Sequence, residues 1–144
     1  MGDYHLVGYK QNPHTEIVAI CDTDPVILAE KQKEYGVPVA VKDYRELLGN
    51  KDIDIVSVVT PDYYHAEQSI AFMEDGKDVL CDKPMTPNVQ EAKDIIKSVK
   101  KTGRKFMVGQ VCRYSPQFAF SKKLVEKGDI GELFFVESEY AHDY

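Results

Sequence analysis

Residues 53–59 read IDIVSVV, the strongest strand pattern in the chain, and residues 60–65 continue as TPDYYH. A short β-branched run between polar residues is typical of a parallel strand that is buried on both faces. Apolar residues then recur at helical spacing up to Gly76, which predicts a helix directly after the strand. A strand followed closely by a helix is the repeating unit of a parallel α/β sheet.

The same alternation extends in both directions from this stretch. Strand patterns occur at residues 16–21, 37–41, 78–81 and 106–109, and helical patterns at residues 2–11, 25–35, 44–48, 88–103 and 115–127. The helix over 25–35 has a typical start at Asp24-Pro25 and a typical stop at Gly36. A looser alternation over residues 133–140 predicts one more strand. Together these patterns predict a parallel sheet that helices cover on both faces.

Composition excludes several classes of protein. The 144 residues are 43% hydrophobic and 29% charged with a formal net charge of −6, which fits a globular domain and not a disordered chain. This acidic balance argues against nucleic acid or an anionic membrane as the main partner. Three scattered cysteines without a CxxC pair argue against a disulfide framework and a zinc site. We therefore expect a cytoplasmic protein with no metal.

Ligands of parallel α/β sheets bind at the carboxyl ends of the strands, so the residues after each strand are the candidates. Asp22 follows the strand over 16–21, where a carboxylate can accept hydrogen bonds from both ribose hydroxyls of an adenosine and would repel a 2′-phosphate. It lies 20 residues after Gly2, the interval between a glycine-rich phosphate turn and its acidic partner. Asp22 could instead belong to a simple turn, although Asp24 already explains the helix cap. On the first interpretation the cofactor is NAD rather than NADP.

Three more strand ends carry candidate residues, at residues 60–65, at Arg113 and at residues 82–84. Thr60, Pro61 and His65 follow the strand over 53–59, where a hydroxyl and a helix N-terminus would face dinucleotide phosphates or the nicotinamide ribose. From the residues alone an ordinary helix cap, with Thr60 or Asp62 as the N-cap and His65 exposed in the first turn, is slightly favoured. Arg113 follows the strand over 106–109 and would bind a substrate hydroxyl, carboxylate or carboxamide, unless it forms a structural ion pair.

Asp82-Lys83-Pro84 follows the strand over 78–81. Desolvation of a lysine in a cleft favours its neutral form, which can accept a proton. A lysine between aspartate and proline is also ordinary turn chemistry, so a surface turn is the alternative. The bond before Pro84 restricts the backbone and can be cis.

Taken together, these strand-end residues resemble the Gfo/Idh/MocA-type oxidoreductases, the family of glucose–fructose oxidoreductase and inositol dehydrogenase. Residues 60–65 are similar to its T-P-N-x-x-H segment, and residues 82–84 to its E-K-P motif with aspartate for glutamate. Residues 113–116 resemble its R-F/Y-x-P stretch, and residues 1–5 the end of its glycine fingerprint. Each match alone is weak, but four in the right order are specific.

The resemblance implies an α/β fold class: a Rossmann-type, doubly wound parallel sheet that lacks its first strand, with the start of a second α/β domain. We expect a partial dinucleotide-binding domain over residues 1–114, and over 115–144 a linking helix and the first strand of a substrate or dimerisation domain. The implied function is NAD(H)-dependent hydride transfer from a secondary hydroxyl of a sugar, cyclitol or similar polyol, in a homo-oligomer. The alternative is a non-catalytic nucleotide-binding or regulatory domain.

The resemblance also implies roles for the matched residues. Lys83 would be catalytic and assist deprotonation of the reacting hydroxyl, with Asp82 orienting Lys83 or the nicotinamide ribose. The other cofactor-binding residues would be Gly2 at the phosphates, Asp22 at the adenosine ribose, Thr60, Pro61 and His65 along the groove, and Arg113 near nicotinamide and substrate.

The chain resembles the middle of such an enzyme. Most of the G-x-G-x-x-G turn and the family's D-x-x-x-H segment are not among these residues. In the strand order 3-2-1-4-5-6, the first strand would lie between the strands at 16–21 and 54–59. Without it, we expect those two strands to pair directly or another chain to cover their edges. We expect the 144-residue chain alone to bind NAD weakly and to be inactive.

Overall fold

The fold, a computed structural model that describes residues 2–139 and 141, alternates helices and strands. In chain order the elements are α1 (Gly2–Gln11), β1 (Ala19–Cys21), α2 (Pro25–Tyr35), β2 (Val39–Val41), β3 (Ile55–Val58), α3 (His65–Glu74), β4 (Asp78–Asp82), α4 (Val89–Thr102), β5 (Phe106–Gly109) and α5 (Pro116–Lys127). Short 3₁₀ turns span Tyr44–Leu47, Asp62–Tyr64 and Val111–Tyr114. The predicted alternation is confirmed as far as α5.

Every strand pairing is parallel, and the strands form two sheets. One sheet pairs β1 with β2, and the other has the order β3-β4-β5. In the part of the chain that the structure describes, no backbone hydrogen bond joins β1 to β3. Direct pairing of these two strands, one of the two outcomes we expected, is therefore wrong.

Helices lie on both faces of the larger sheet. Val58 of β3 belongs to the main core, whose most buried members include Met73 of α3 and Ile95 of α4. Neighbouring residues of a strand point to opposite faces, so Ser57 points away from this core. There it meets α1, since the Tyr9 hydroxyl lies 2.6 Å and His5 Nδ1 lies 3.2 Å from Ser57 Oγ. This is the doubly wound arrangement that the sequence predicts.

Helix ends follow the local signals in the sequence. Asp24 Oδ1 accepts hydrogen bonds from the amides of Val26 (2.8 Å) and Ile27 (3.3 Å), which caps α2. Gly36 ends α2 with a left-handed φ of 68°. Asn88 Oδ1 accepts the Glu91 amide at 2.9 Å and caps α4. The capped starts of α2 and α4 set where the loops after β1 and β4 end.

The chain divides into two compact units, Met1–Gly109 and Gln110–Tyr144, with the boundary five residues before the predicted one. In the second unit, residues 131–139 form neither helix nor strand, and Phe134 is 99% exposed. The prediction of a strand over 133–140 is therefore wrong for residues 133–139, and Tyr140 lies outside the described residues. Alternating residues form a strand only against a neighbouring strand, and none of the described residues pairs with this segment.

Candidate functional site

The first candidate, Asp22, lies half-buried at the carboxyl end of β1. Its Oδ1 accepts the backbone N–H of Asp24 at 2.9 Å, so this oxygen closes the turn before α2. Its Oδ2 has no hydrogen-bond partner among the described residues. The turn and the ribose-binding interpretations are thus compatible, because one carboxylate oxygen serves the turn and the other faces outward.

An exposed lysine that was not among the predicted site residues lies beside Asp22. The backbone N–H of Asp22 donates to the carbonyl oxygen of Val41 at 3.2 Å, at the end of β2. Lys42 is the next residue and is exposed. The signal was available, since Lys42 is also the first residue after a strand. It went unused because only the pairing of β1 with β2 brings Lys42 to Asp22.

The N-terminus of α1 lies at the carboxyl end of β3. A Cβ placed on Gly2 would lie 3.8 Å from Val59 Cγ2, just past the end of that strand. This is an ordinary van der Waals distance, so packing here does not demand glycine. In the same first turn, Asp3 forms an ion pair with Lys31 of α2 at 2.9 Å. The pKa of Lys31 is raised mainly by this contact with Asp3 and secondly by a contact with Glu34. A helix N-terminus at this edge can bind an anion.

The residues after β3 divide into exposed and buried ones. Thr60 and Pro61 are exposed, and the Thr60 hydroxyl donates to Gln68 Oε1 at 2.9 Å. His65 is 1% exposed, with its Nδ1 2.8 Å from the carbonyl oxygen of Pro84 and its Nε2 2.8 Å from that of Thr60. Both ring nitrogens are engaged by the protein. His65 therefore lies beneath the groove that we expected it to line, without a free polar atom for a cofactor.

Asp82 and Lys83 end β4, next to the residues after β3. Asp82 is 7% exposed and its Oδ1 accepts the backbone N–H of Lys83 at 2.8 Å, so it orients the lysine's backbone. Lys83 is exposed, and among the described residues its Nζ has neither a hydrogen-bond nor an ion-pair partner. The Lys83–Pro84 peptide is cis. Since Val58 pairs with Cys81, Thr60 and Lys83 leave the sheet side by side.

Gly109 of β5 packs against the end of β4. Asp82 pairs with Gly109 of β5, and a Cβ on Gly109 would lie 3.5 Å from the carbonyl oxygen of Cys81 and 3.6 Å from Asp82 Oδ1. These are ordinary van der Waals distances, so a Cβ at this position would contact the carboxylate that holds the Lys83 backbone. Burial raises the pKa of the Cys81 thiol to about 11, so Cys81 is a packed thiol rather than a nucleophile.

Arg113 belongs to the second unit. It lies in the 3₁₀ turn Val111–Tyr114, where its backbone N–H donates to the carbonyl oxygen of Gln110 at 3.0 Å and its side chain is exposed. Its predicted position near nicotinamide and substrate stays a prediction.

Other features lie away from this edge. A cavity of about 370 Å³ opens at the opposite edge, where Asp54, Lys77 and Arg104 precede β3, β4 and β5. The described residues contain no group of three or more His, Cys, Asp or Glu side chains placed to hold a metal ion. None of the helices in the described ranges has the length and apolarity needed to cross a membrane.

The same residues match a known family. A family model described as "Oxidoreductase family, NAD-binding Rossmann fold" covers residues 1–110. The chain is 32% identical to levoglucosan dehydrogenase of Pseudarthrobacter phenanthrenivorans, over all of this chain and 39% of that protein. It is 33% identical to an alpha-N-acetylgalactosaminidase of Shewanella oneidensis, over 99% of this chain and 33% of that protein. The chain thus spans between a third and two fifths of the length of these curated relatives.

A solved structure agrees with these sequence matches. The scyllo-inositol dehydrogenase of Lactobacillus casei, solved with bound NAD(H) and scyllo-inositol, superposes with a TM-score of 0.86 at 26% identity. The match covers 91% of this chain and 39% of that one. The resemblance identified from the strand-end motifs is confirmed.

Proposed function

The chain belongs to the oxidoreductase family with an NAD-binding Rossmann fold, and on that basis we propose that the protein oxidises a secondary hydroxyl of a sugar, cyclitol or related polyol with NAD. The observation that carries the proposal is Lys83, which is exposed and whose Nζ has no partner among the described residues, at the edge where Asp22 and the N-terminus of α1 also lie. Hydride transfer from an alcohol requires a proton acceptor next to the groove that binds the dinucleotide.

The groups at this edge fit NAD in their chemistry. The free Oδ2 of Asp22 is an acceptor for ribose hydroxyls. The first-turn amides of α1 donate toward anionic phosphates, and the exposed Thr60 and Pro61 form the next part of the groove. Bound NAD supplies the hydride acceptor. A free acceptor oxygen, a helix N-terminus and an uncharged groove wall at one edge therefore support the binding of a dinucleotide.

Lys83 supplies the proton acceptor. As the alcohol carbon gives up its hydride to bound NAD, the O–H bond would break and its proton would pass to Lys83 Nζ, which would accept it in the unprotonated form, leaving a ketone and an ammonium group. Asp82 contributes by holding the Lys83 backbone through its 2.8 Å hydrogen bond. Product release and loss of the ammonium proton to solvent, to which Lys83 is open, would complete the cycle.

The proposal is tested by replacing Lys83 in the protein that carries this sequence. Lys83→Met removes the amine but keeps the length of the side chain, and it should lower turnover with NAD and scyllo-inositol or levoglucosan by roughly 10²-fold or more. NADH affinity should change little, since the adenosine and phosphate groups are untouched. Lys97→Met, at an exposed position of α4, is the matched control and should leave turnover unchanged.

Two results would contradict the proposal. Turnover within about threefold of wild type in Lys83→Met would make Lys83 a turn residue. NADH binding without reduction of NAD by any polyol would favour the alternative, a non-catalytic nucleotide-binding or regulatory domain. Because one relative is named as a glycosidase, the assay should also include an N-acetylgalactosaminide, whose cleavage without net reduction of NAD would point to hydrolysis.

A further inference from the structure

His65 is a buried ionisable side chain at this edge that the proposed chemistry does not use. Its ring is 1% exposed and lies between two loops that leave neighbouring strands. Nε2 faces the carbonyl oxygen of Thr60, after β3, and Nδ1 faces that of Pro84, after β4, each at 2.8 Å. The ring therefore spans the two strand ends above the last backbone pairing of the sheet.

The chemistry of the two contacts restricts the ring. A carbonyl oxygen accepts hydrogen bonds and cannot donate them, whereas each imidazole nitrogen donates only when it carries a proton. Both contacts are hydrogen bonds only if both nitrogens are protonated.

We propose that His65 is a positioning residue: with a proton on each ring nitrogen it donates to both carbonyl oxygens and so holds the Lys83–Pro84 turn against the Thr60–Pro61 loop. Asp82 fixes the amide side of Lys83, and His65 fixes the carbonyl of the next residue. The Lys83 backbone is then held on both sides. The effect on turnover rests on the function proposed above for Lys83, whereas the hydrogen-bonding arrangement does not.

Ser69, on the same helix α3, is a buried residue that only packs in the core and so serves as a comparison for His65. Ser69 lies one turn after His65, is 0% exposed, and its hydroxyl has no hydrogen-bond partner among the described residues. It fills the core without bridging two loops. Ser69→Ala therefore tests what a small change in the buried face of α3 does by itself.

The direct test is nitrogen NMR of the ¹⁵N-labelled 144-residue chain at neutral pH. We expect two His65 ring N–H groups, both exchanging slowly with solvent because the ring is buried and each proton is hydrogen-bonded. A ring with one protonated and one bare nitrogen would overturn the two-sided bridge. This measurement needs no variant and no activity.

Two variants separate the two hydrogen bonds. The amide nitrogen of asparagine is as many bonds from Cα as histidine Nδ1, so His65→Asn can keep the hydrogen bond to the Pro84 carbonyl. The amide nitrogen of glutamine is as many bonds from Cα as histidine Nε2, so His65→Gln can keep the hydrogen bond to the Thr60 carbonyl. The backbone amide signal of Lys83 should stay near its wild-type position in His65→Asn and in Ser69→Ala, and should move in His65→Gln. Equal displacement in both His65 variants would overturn the proposal.

The protein that carries the chain adds a kinetic test. His65→Gln should lower kcat by roughly 10²-fold, as expected for a misplaced reacting group, with the KM for NAD little changed. His65→Asn should raise the KM for NAD and keep most of kcat, because it releases only the groove loop at Thr60. An equal fall in kcat in both variants would contradict the separate roles of the two hydrogen bonds. If Lys83→Met keeps full turnover while the NMR results hold, the proposed function fails and the bridge stands.

Discussion

The backbone N–H of Asp22 donates a hydrogen bond to the carbonyl oxygen of Val41 at 3.2 Å, which joins the carboxyl ends of β1 and β2. Cys21 pairs with Val41 in the sheet, so the next residues, Asp22 and Lys42, leave it as neighbours. A carboxylate at this point favours ribose hydroxyls, whereas a lysine favours a phosphate. We therefore expect the balance between these two side chains to decide whether NAD or NADP is preferred.

Replacement of Asp22 by serine should move the cofactor preference toward NADP. The variant removes the repulsion of a 2′-phosphate and leaves Lys42 in place. We expect kcat/KM for NADP relative to NAD to rise roughly tenfold or more, which corresponds to about 1.4 kcal/mol. Steady-state kinetics with both cofactors measures the ratio. Wild type that already uses NADP as well as NAD would contradict the role of Asp22.

Asp24→Ser is the control for this substitution. It removes the same charge two residues away, and serine is itself a good helix cap. The cofactor ratio should stay at the wild-type value. Lys42→Ala in the Asp22→Ser background should cancel much of the gain with NADP, and persistence of the full gain would exclude Lys42 as its source.

Asp75 should stabilise the fold in a pH-dependent way. Its carboxylate accepts hydrogen bonds from the buried Lys77 ammonium and from the Gly49 amide (2.8 Å), and these two contacts, Lys77 first, lower the pKa of Asp75 below 3.8. A carboxyl whose pKa is lower in the folded state stabilises that state above its unfolded pKa. This stabilisation is lost as the pH falls below 3.8 and through the folded pKa.

Urea unfolding of Asp75→Asn measures this contribution. At neutral pH we expect the free energy of unfolding to fall by roughly 1–3 kcal/mol, since Lys77 is left buried without its charged partner. The difference from wild type should shrink below pH 3.8. Asp94→Asn, at an exposed position of α4, is the control. A difference that is the same at both pH values would argue against the Asp75–Lys77 contact.

The Tyr9 hydroxyl should help to hold α1 on the larger sheet. It lies 2.6 Å from Ser57 Oγ. Tyr9→Phe removes this hydrogen bond and should lower the free energy of unfolding by about 1 kcal/mol. Tyr4→Phe makes the same chemical change on the same helix at a side chain that is 78% exposed, and should have no effect. Equal losses in the two variants would show that the contact with Ser57 does not matter.

Two glycine substitutions should have opposite signs. Gly8 lies inside α1, where a Cβ would meet nothing within 4 Å, so Gly8→Ala should raise the free energy of unfolding by about 0.8–1.0 kcal/mol. Gly36 ends α2 with a φ of 68°, so Gly36→Ala should lower it by about 1–2 kcal/mol. Urea unfolding curves of both variants provide the comparison. A stabilising Gly36→Ala would mean that α2 ends differently.

Local signals predicted most of the fold. Asp24 and Gly36 bound α2 as expected because capping depends on residues within one helical turn. The strand prediction over 133–140 failed for its described part because alternation shows only that a segment can form a strand. Whether it does depends on an edge to pair with, which lies elsewhere in the chain.

The sequence by itself determined the order of helices and strands, and it placed Asp22, Thr60 and Lys83 directly after strands. Only the tertiary structure decided that Lys42 stands beside Asp22 and that His65 is buried between the carbonyls of Thr60 and Pro84. Helical and strand periods and caps arise from neighbours along the chain, so they can be recognised in a sequence. Strand register and the direction of a buried ring arise from pairing between segments about 20 residues apart, which no local pattern encodes.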